Sequence, residues 1–165
     1  MKLLESARSL TRAPLLLWGS ALLVVSIDVL TKYSVRKFFP DAGYEIFSGL
    51  SLRLFENIRG PFGIASVGIA AFVGGVVLVL WVWFSLHTAQ RQRGWTSTIG
   101  VGILLGGGLS NSLERVLAGR TTDILWVGDL TAINVADGAI LVGLALLLTT
   151  FLRPLVESDR PTGTP

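Results

Sequence analysis

Residues 132–152 read AINVADGAILVGLALLLTTFL. An α-helix needs about 20 predominantly apolar residues to cross a bilayer, and this run has that length. Yet Asn134 and Asp137 stand at its start. They are three apart and so share a helical face. A carboxylate near a bilayer core costs about 2.5–3.5 kcal/mol on insertion scales, and an acid kept there is a functional-site hypothesis. Asn134 alone is explained by a place near the helix N-cap. That role does not explain an acid inside the run.

The same reading extends to the rest of the chain. Apolar stretches cover about residues 14–31, 62–86, 95–117 and 132–152. Of 165 residues, 51% are hydrophobic and 15% charged, against about 25% charged in soluble domains. Mean hydropathy is +0.65. The expectation is an all-α membrane protein: four transmembrane helices in one domain, residues 1–153, with a polar cytoplasmic tail at 154–165. No small-x-small cleavage site follows the first run, so it reads as a retained span. Residues 44–55 (YEIFSGLSLRLF) alternate as short strands do. They predict a small β-element at the membrane surface.

Charge sets orientation. Lys2, Arg8 and Arg12, then Arg91 and Arg93, then Arg153 and Arg160 fall on one side of a four-span chain. That side is cytoplasmic, with both termini. Residues 33–61 and 118–131 are then extracytoplasmic loops, although Lys32, Arg36, Lys37, Arg53 and Arg59 blur the asymmetry. The net charge of +3 lies beside apolar segments, which argues for membrane lipids around the chain and against a nucleic-acid partner. The absence of cysteine excludes disulfides, thiolate metal sites and a cysteine nucleophile. The single histidine, His87, leaves little for a metal site or a triad. No metal or cofactor is expected.

Polar residues of the spans converge on one level. Asp28 and Lys32 end the first span, and Asn57 precedes the second. Asn111, Glu114 and Arg115 end the third; Asp123 follows it; Asn134 and Asp137 begin the fourth. All fall at the extracytoplasmic face. Asp28 and Lys32, four apart, form an interfacial ion pair or position a substrate. Glu114 and Arg115 close a helix, or Arg115 orients a carboxylate and holds it ionised. Gly106, Gly107 and Gly108 favour close helix packing; no GKS or GKT makes them a phosphate loop. Asp123 has a competitor in Asp129, which spacing does not separate. Two carboxyls in a partly dry site are the working parts of aspartyl protease chemistry. The same acids would also suit a small transporter or proton-relay bundle, or interhelical pairs in a scaffold protein.

On these residues the chain resembles the lipoprotein signal peptidase family, signal peptidase II, from about Asp28 to Ile140. Residues 28–32 (DVLTK) resemble its D-x-x-T-K, and residues 57–62 (NIRGPF) its N-x-G-A-A-F. Residues 106–115 (GGGLSNSLER) resemble G-G-A-x-G-N-x-x-D-R. Thr122-Asp123-Ile124 sits where the family has V-D-F, and residues 133–140 (INVADGAI) are close to F-N-V-A-D-S-A-I. The resemblance implies Asp123 and Asp137 as a catalytic dyad. It implies support or substrate binding by Asp28, Lys32, Asn57, Asn111, Arg115 and Asn134, with Glu114 at the position of a family Asp. It also implies four spans, a small periplasmic β-cradle, a monomer in the bacterial cytoplasmic (inner) membrane, and a diacylglyceryl-modified prolipoprotein cut before its lipidated cysteine. Departures from the pattern are Glu114 for Asp, Ser110 for Gly, Arg59 for Gly, Gly60-Pro61 for Ala-Ala, and Ile124 and Ile133 for Phe.

Overall fold

The computed structural model describes residues 2–39, 43–58, 75, 95–128 and 131–158. The predicted second span, residues 62–86, lies outside the described residues except for Gly75, and His87 and Asp129 lie outside them too. Three long helices and a four-stranded sheet make up the rest: α1 (Lys2–Phe38), β1 (Tyr44–Phe47), β2 (Leu50–Asn57), α2 (Trp95–Ala118), β3 (Thr121–Val127), β4 (Thr131–Ile133) and α3 (Val135–Ser158).

The helices run further than hydropathy suggests. Hydropathy predicts the first span over about 14–31, and α1 continues past it to Phe38. Lys32 and Arg36 in that extension make contacts to α2 that hydropathy does not register. The expected tail begins at 154, and α3 continues into it as far as Ser158. The fourth run, expected from 132, starts its helix at Val135, because Thr131–Ile133 pair as β4. Residues 118–131, expected as a loop, contain β3.

Helix packing rests on absent side chains. A Cβ at Gly102 would overlap Ser20 Oγ and the Leu17 carbonyl, and one at Gly106 would lie 2.6 Å from the Ala21 carbonyl. These two glycines therefore set the α1–α2 approach. On the other side, a Cβ at Gly107 would overlap the Ala136 carbonyl, and one at Gly143 would lie 2.7 Å from the Leu104 nitrogen. These set the α2–α3 approach. Gly108, in contrast, faces open space. Small residues that admit backbone contact are how helices associate where lipid supplies no hydrophobic drive. Gly106→Ala should cost about 1–3 kcal/mol through overpacking, read as a lower thermal midpoint in detergent, while Gly108→Ala should not lower it.

The outer surfaces of these helices are apolar. Leu15, Trp18, Leu22 and Leu23 on α1 are 60–75% exposed, as are Leu141 (66%) and Leu148 (62%) on α3. Residues Arg12–Phe38 form a helix long and apolar enough to cross a membrane, and Val135–Thr150 is a shorter apolar helix.

The sheet is antiparallel in the order β1-β2-β3-β4. The alternation at residues 44–55 is realised as the β1–β2 hairpin, turning at Gly49 with φ of 85°. A bulge in β2 decides what faces the site. Leu52 pairs with Leu125, but Phe55 pairs with Asp123 and Asn57 with Thr121. One extra residue on β2 shifts the side-chain parity. Without it, Asn57 would lie on the opposite face from Asp123. α2 stops at Gly119, whose φ of 70° and N–H bond to the Arg115 carbonyl (2.9 Å) make a left-handed cap. β3 then begins within two residues of that cap, beside the end of α2.

Candidate active site

Asn134 is the hub. It is the N-cap of α3: its Oδ1 accepts the Asp137 N–H (2.9 Å), and its own N–H donates to Asp137 Oδ2 (3.1 Å). This reciprocal pair is a capping box built from Asn and Asp. It gives Asp137 a structural role that the sequence reading did not foresee. Asp137 lies in the first turn of α3, where backbone N–H groups and the helix dipole favour an anion. Its second oxygen, Oδ1, accepts from Asn111 Nδ2 (2.8 Å).

The same Asn134 reaches the other acid. Its Nδ2 donates to Asp123 Oδ1 (2.8 Å), and also contacts Asn111 Oδ1 (3.1 Å) and the Thr122 carbonyl (3.3 Å). Asp123 Oδ2 accepts from Asn57 Nδ2 (3.4 Å), the contact that the β2 bulge permits. One asparagine thus holds both candidate carboxyls. Asp123 is 5% exposed. Burial raises its pKa above the usual carboxylate value; the Asp137 charge pushes the same way, while Asn134, Asn57 and Lys32 oppose it.

Beneath this pair lies an ionic layer. Asp28 is fully buried. Its Oδ2 accepts from Lys32 Nζ (2.7 Å) and Ser110 Oγ (2.7 Å), and its Oδ1 from the Ala136 N–H (2.9 Å). One carboxylate therefore ties α1 to α2 and α3. Ser110, a departure from the family pattern, supplies one of those donors. Lys32 uses its other two donors on Glu114 Oε2 (2.9 Å) and Asn111 Oδ1 (3.1 Å). The expected Asp28–Lys32 pair exists, but in the interior.

Every candidate residue among those described joins this network or borders it. Arg115 is the one whose expected partner differs. It does not meet either candidate carboxyl through a hydrogen bond; its Nη2 donates to Thr121 Oγ1, at the start of β3. It braces the α2–β3 junction. Three contributors were missed: Thr122, Ser110 as a donor, and Arg36. Thr122 Oγ1 donates to Glu114 Oε1 (2.6 Å) and accepts from Arg36 Nη2. Arg36 carried a readable signal, since 28, 32 and 36 recur every four residues on one face of α1.

Comparison with known proteins decides the family. The family model described as signal peptidase (SPase) II matches residues 20–153. The chain belongs to the signal peptidase II family. It is 30% identical to a lipoprotein signal peptidase of Moorella thermoacetica over 142 residues, which span 85% of this chain and 95% of that protein. It is 33% identical to one of Burkholderia ambifaria over 145 residues, which span 82% of this chain and 86% of that protein. Among solved structures, a bacterial membrane enzyme determined by the in meso method superposes with a TM-score of 0.67 at 22% identity. The match covers 88% of this chain and 92% of that one, so the two share a fold. A signal peptidase II is a peptidase.

Proposed function

We infer that this chain is an intramembrane aspartyl endopeptidase that removes the signal peptide from diacylglyceryl-modified prolipoproteins, cutting before the lipidated cysteine. The observation that carries the reading is Asn134 bonded to both Asp123 and Asp137, which occupy the positions of the family's two catalytic aspartates. The two carboxyls act as one unit holding one proton, since close like charges do not both ionise readily. A water between them loses a proton to the ionised member as it attacks the scissile carbonyl. The protonated member donates to the carbonyl oxygen as negative charge builds there. Asn134, Asn111 and Asn57 fix the two side chains in orientations from which both reach one water. Asp28, Lys32 and Glu114 hold the helix ends that carry them.

The chain crosses the bacterial cytoplasmic membrane four times as a monomeric domain of residues 1–153, with both termini cytoplasmic and the sheet at the extracytoplasmic surface. The exposed apolar flanks of α1 and α3 support this topology. Acyl chains of the substrate lie among the helices, and their binding aligns the scissile bond with the dyad. Alignment of this kind supplies a large share of the rate gain in enzymes. A proton relay, the competing use of buried acids, needs titratable groups through the membrane depth. None occurs between Arg12 and Asp28, between Trp95 and Glu114, or between Asp137 and Arg153.

Lipid dependence tests the substrate assignment. Purified protein should cleave a diacylglyceryl-modified precursor and leave the same precursor without lipid at least about 100-fold slower, the loss expected when about 2.7 kcal/mol of alignment energy is withheld. Equal rates on the two would remove the lipid from the recognition scheme.

A further inference from the structure

We propose that Thr122, Glu114 and Arg36 form a clamp that positions the backbone of Asp123, and that Glu114 and Thr122 work as a matched pair. The proposal rests on the peptidase reading above. Thr122 directly precedes Asp123 and is fully buried. Glu114 grips it twice: Oε2 accepts the Thr122 N–H (3.1 Å) and Oε1 accepts its hydroxyl (2.6 Å). Arg36 Nη2 donates to the same hydroxyl and lies 3.5 Å from Glu114 Oε1. The Thr122 carbonyl accepts from Asn134, the amide that also holds Asp123. Every polar group of Thr122 is thereby bound to a fixed partner: the carboxylate on α2, the guanidinium on α1, or the N-cap amide of α3. Asp123 inherits its place from a residue whose own freedom is gone.

Both members depart from the family pattern given above, which has Asp and Val at these positions. The departures fit each other. Lys32 already occupies Glu114 Oε2, and an Asp, one methylene shorter, would not span from that lysine to the β3 backbone and hydroxyl together. A Val at 122 would leave Oε1 with only the long contact to Arg36. The extra methylene and the extra hydroxyl meet at 2.6 Å.

The test is a double-mutant cycle with a conservative control: Thr122→Val, Thr122→Ser, Glu114→Asp and Glu114→Asp/Thr122→Val, assayed on the diacylglyceryl-modified precursor. Thr122→Val and Glu114→Asp should each lower kcat about tenfold, with KM within about twofold, because Thr122 is fully buried and the pair acts through the Asp123 backbone. Thr122→Ser should keep wild-type kcat. The double variant should lose no more than the worse single, since residues sharing one contact are not additive. Amide exchange over residues 121–125 should quicken in Thr122→Val and not in Thr122→Ser. Wild-type kcat in Thr122→Val, or multiplicative losses in the double, overturns the clamp while leaving the peptidase reading intact. No cleavage by the wild type overturns that reading, and the exchange data then decide the clamp alone.

Discussion

Asp123→Asn and Asp137→Asn should each reduce cleavage of a lipidated precursor to background, a loss of at least about 10⁴-fold, because the single carboxyl left in a half-amide pair does not supply an ionised base and a proton donor together. The two variants should differ in stability. Burial raises the Asp123 pKa in the folded chain, so the folded state holds that proton more tightly than the unfolded chain does. The stability gained from it is full in acid and is lost as pH rises through the folded value. Above that value the charge is therefore a cost, and there Asp123→Asn should unfold no earlier than the wild type. Asp137→Asn disturbs the capping box with Asn134 and should lose about 0.5–2 kcal/mol. Thermal unfolding of both, beside the cleavage assay, separates chemistry from folding. Full activity in either variant would sink the dyad.

Lys32→Met should be the most damaging change away from the dyad. Lys32 Nζ serves Asp28, Glu114 and Asn111 at 2.7, 2.9 and 3.1 Å, and its side chain is 6% exposed. Its removal leaves Asp28 fully buried and without its cation, a defect that costs about 3–5 kcal/mol. The expected result is little folded protein. Replacing both partners, as Asp28→Leu/Lys32→Met, should restore part of the yield, because no buried charge is then stranded. The double should still be poorly active, since Asp28 also orients the Ala136 N–H at the head of α3. A Lys32→Met protein with the wild-type unfolding midpoint would show that the layer beneath the dyad is dispensable for folding.

The residues differ in how far the sequence exposed their roles. The β1–β2 hairpin was legible because its alternation is strong and its turn glycine is required. The extent of α2 was legible because Trp95–Ala118 carries no helix-breaking proline. β3 was hidden. Its first half is buried on both faces, so no alternation survives, and Thr121, Thr122 and Asp123 read as loop residues. Asn57 could be named from the family pattern, but its reach to Asp123 depends on a one-residue bulge that no local signal announces. Asp137 looked anomalous within its apolar run. In the folded chain it sits in the first helical turn and is bonded through both oxygens. Its position satisfies its hydrogen-bonding needs. Nothing in the sequence singles out Thr122, since a buried hydroxyl announces itself only through partners far away in the chain.

On the function proposed above, Asp123 and Asp137, held by one asparagine, hydrolyse the bond before a lipidated cysteine. The most direct measurement is to incubate purified wild-type and Asp123→Asn protein with a diacylglyceryl-modified precursor and determine the product masses. The account predicts a free signal peptide and a polypeptide beginning at the diacylglyceryl cysteine with the wild type, and uncut precursor with the variant. Cleavage at another bond, or equal cleavage by both proteins, would contradict it.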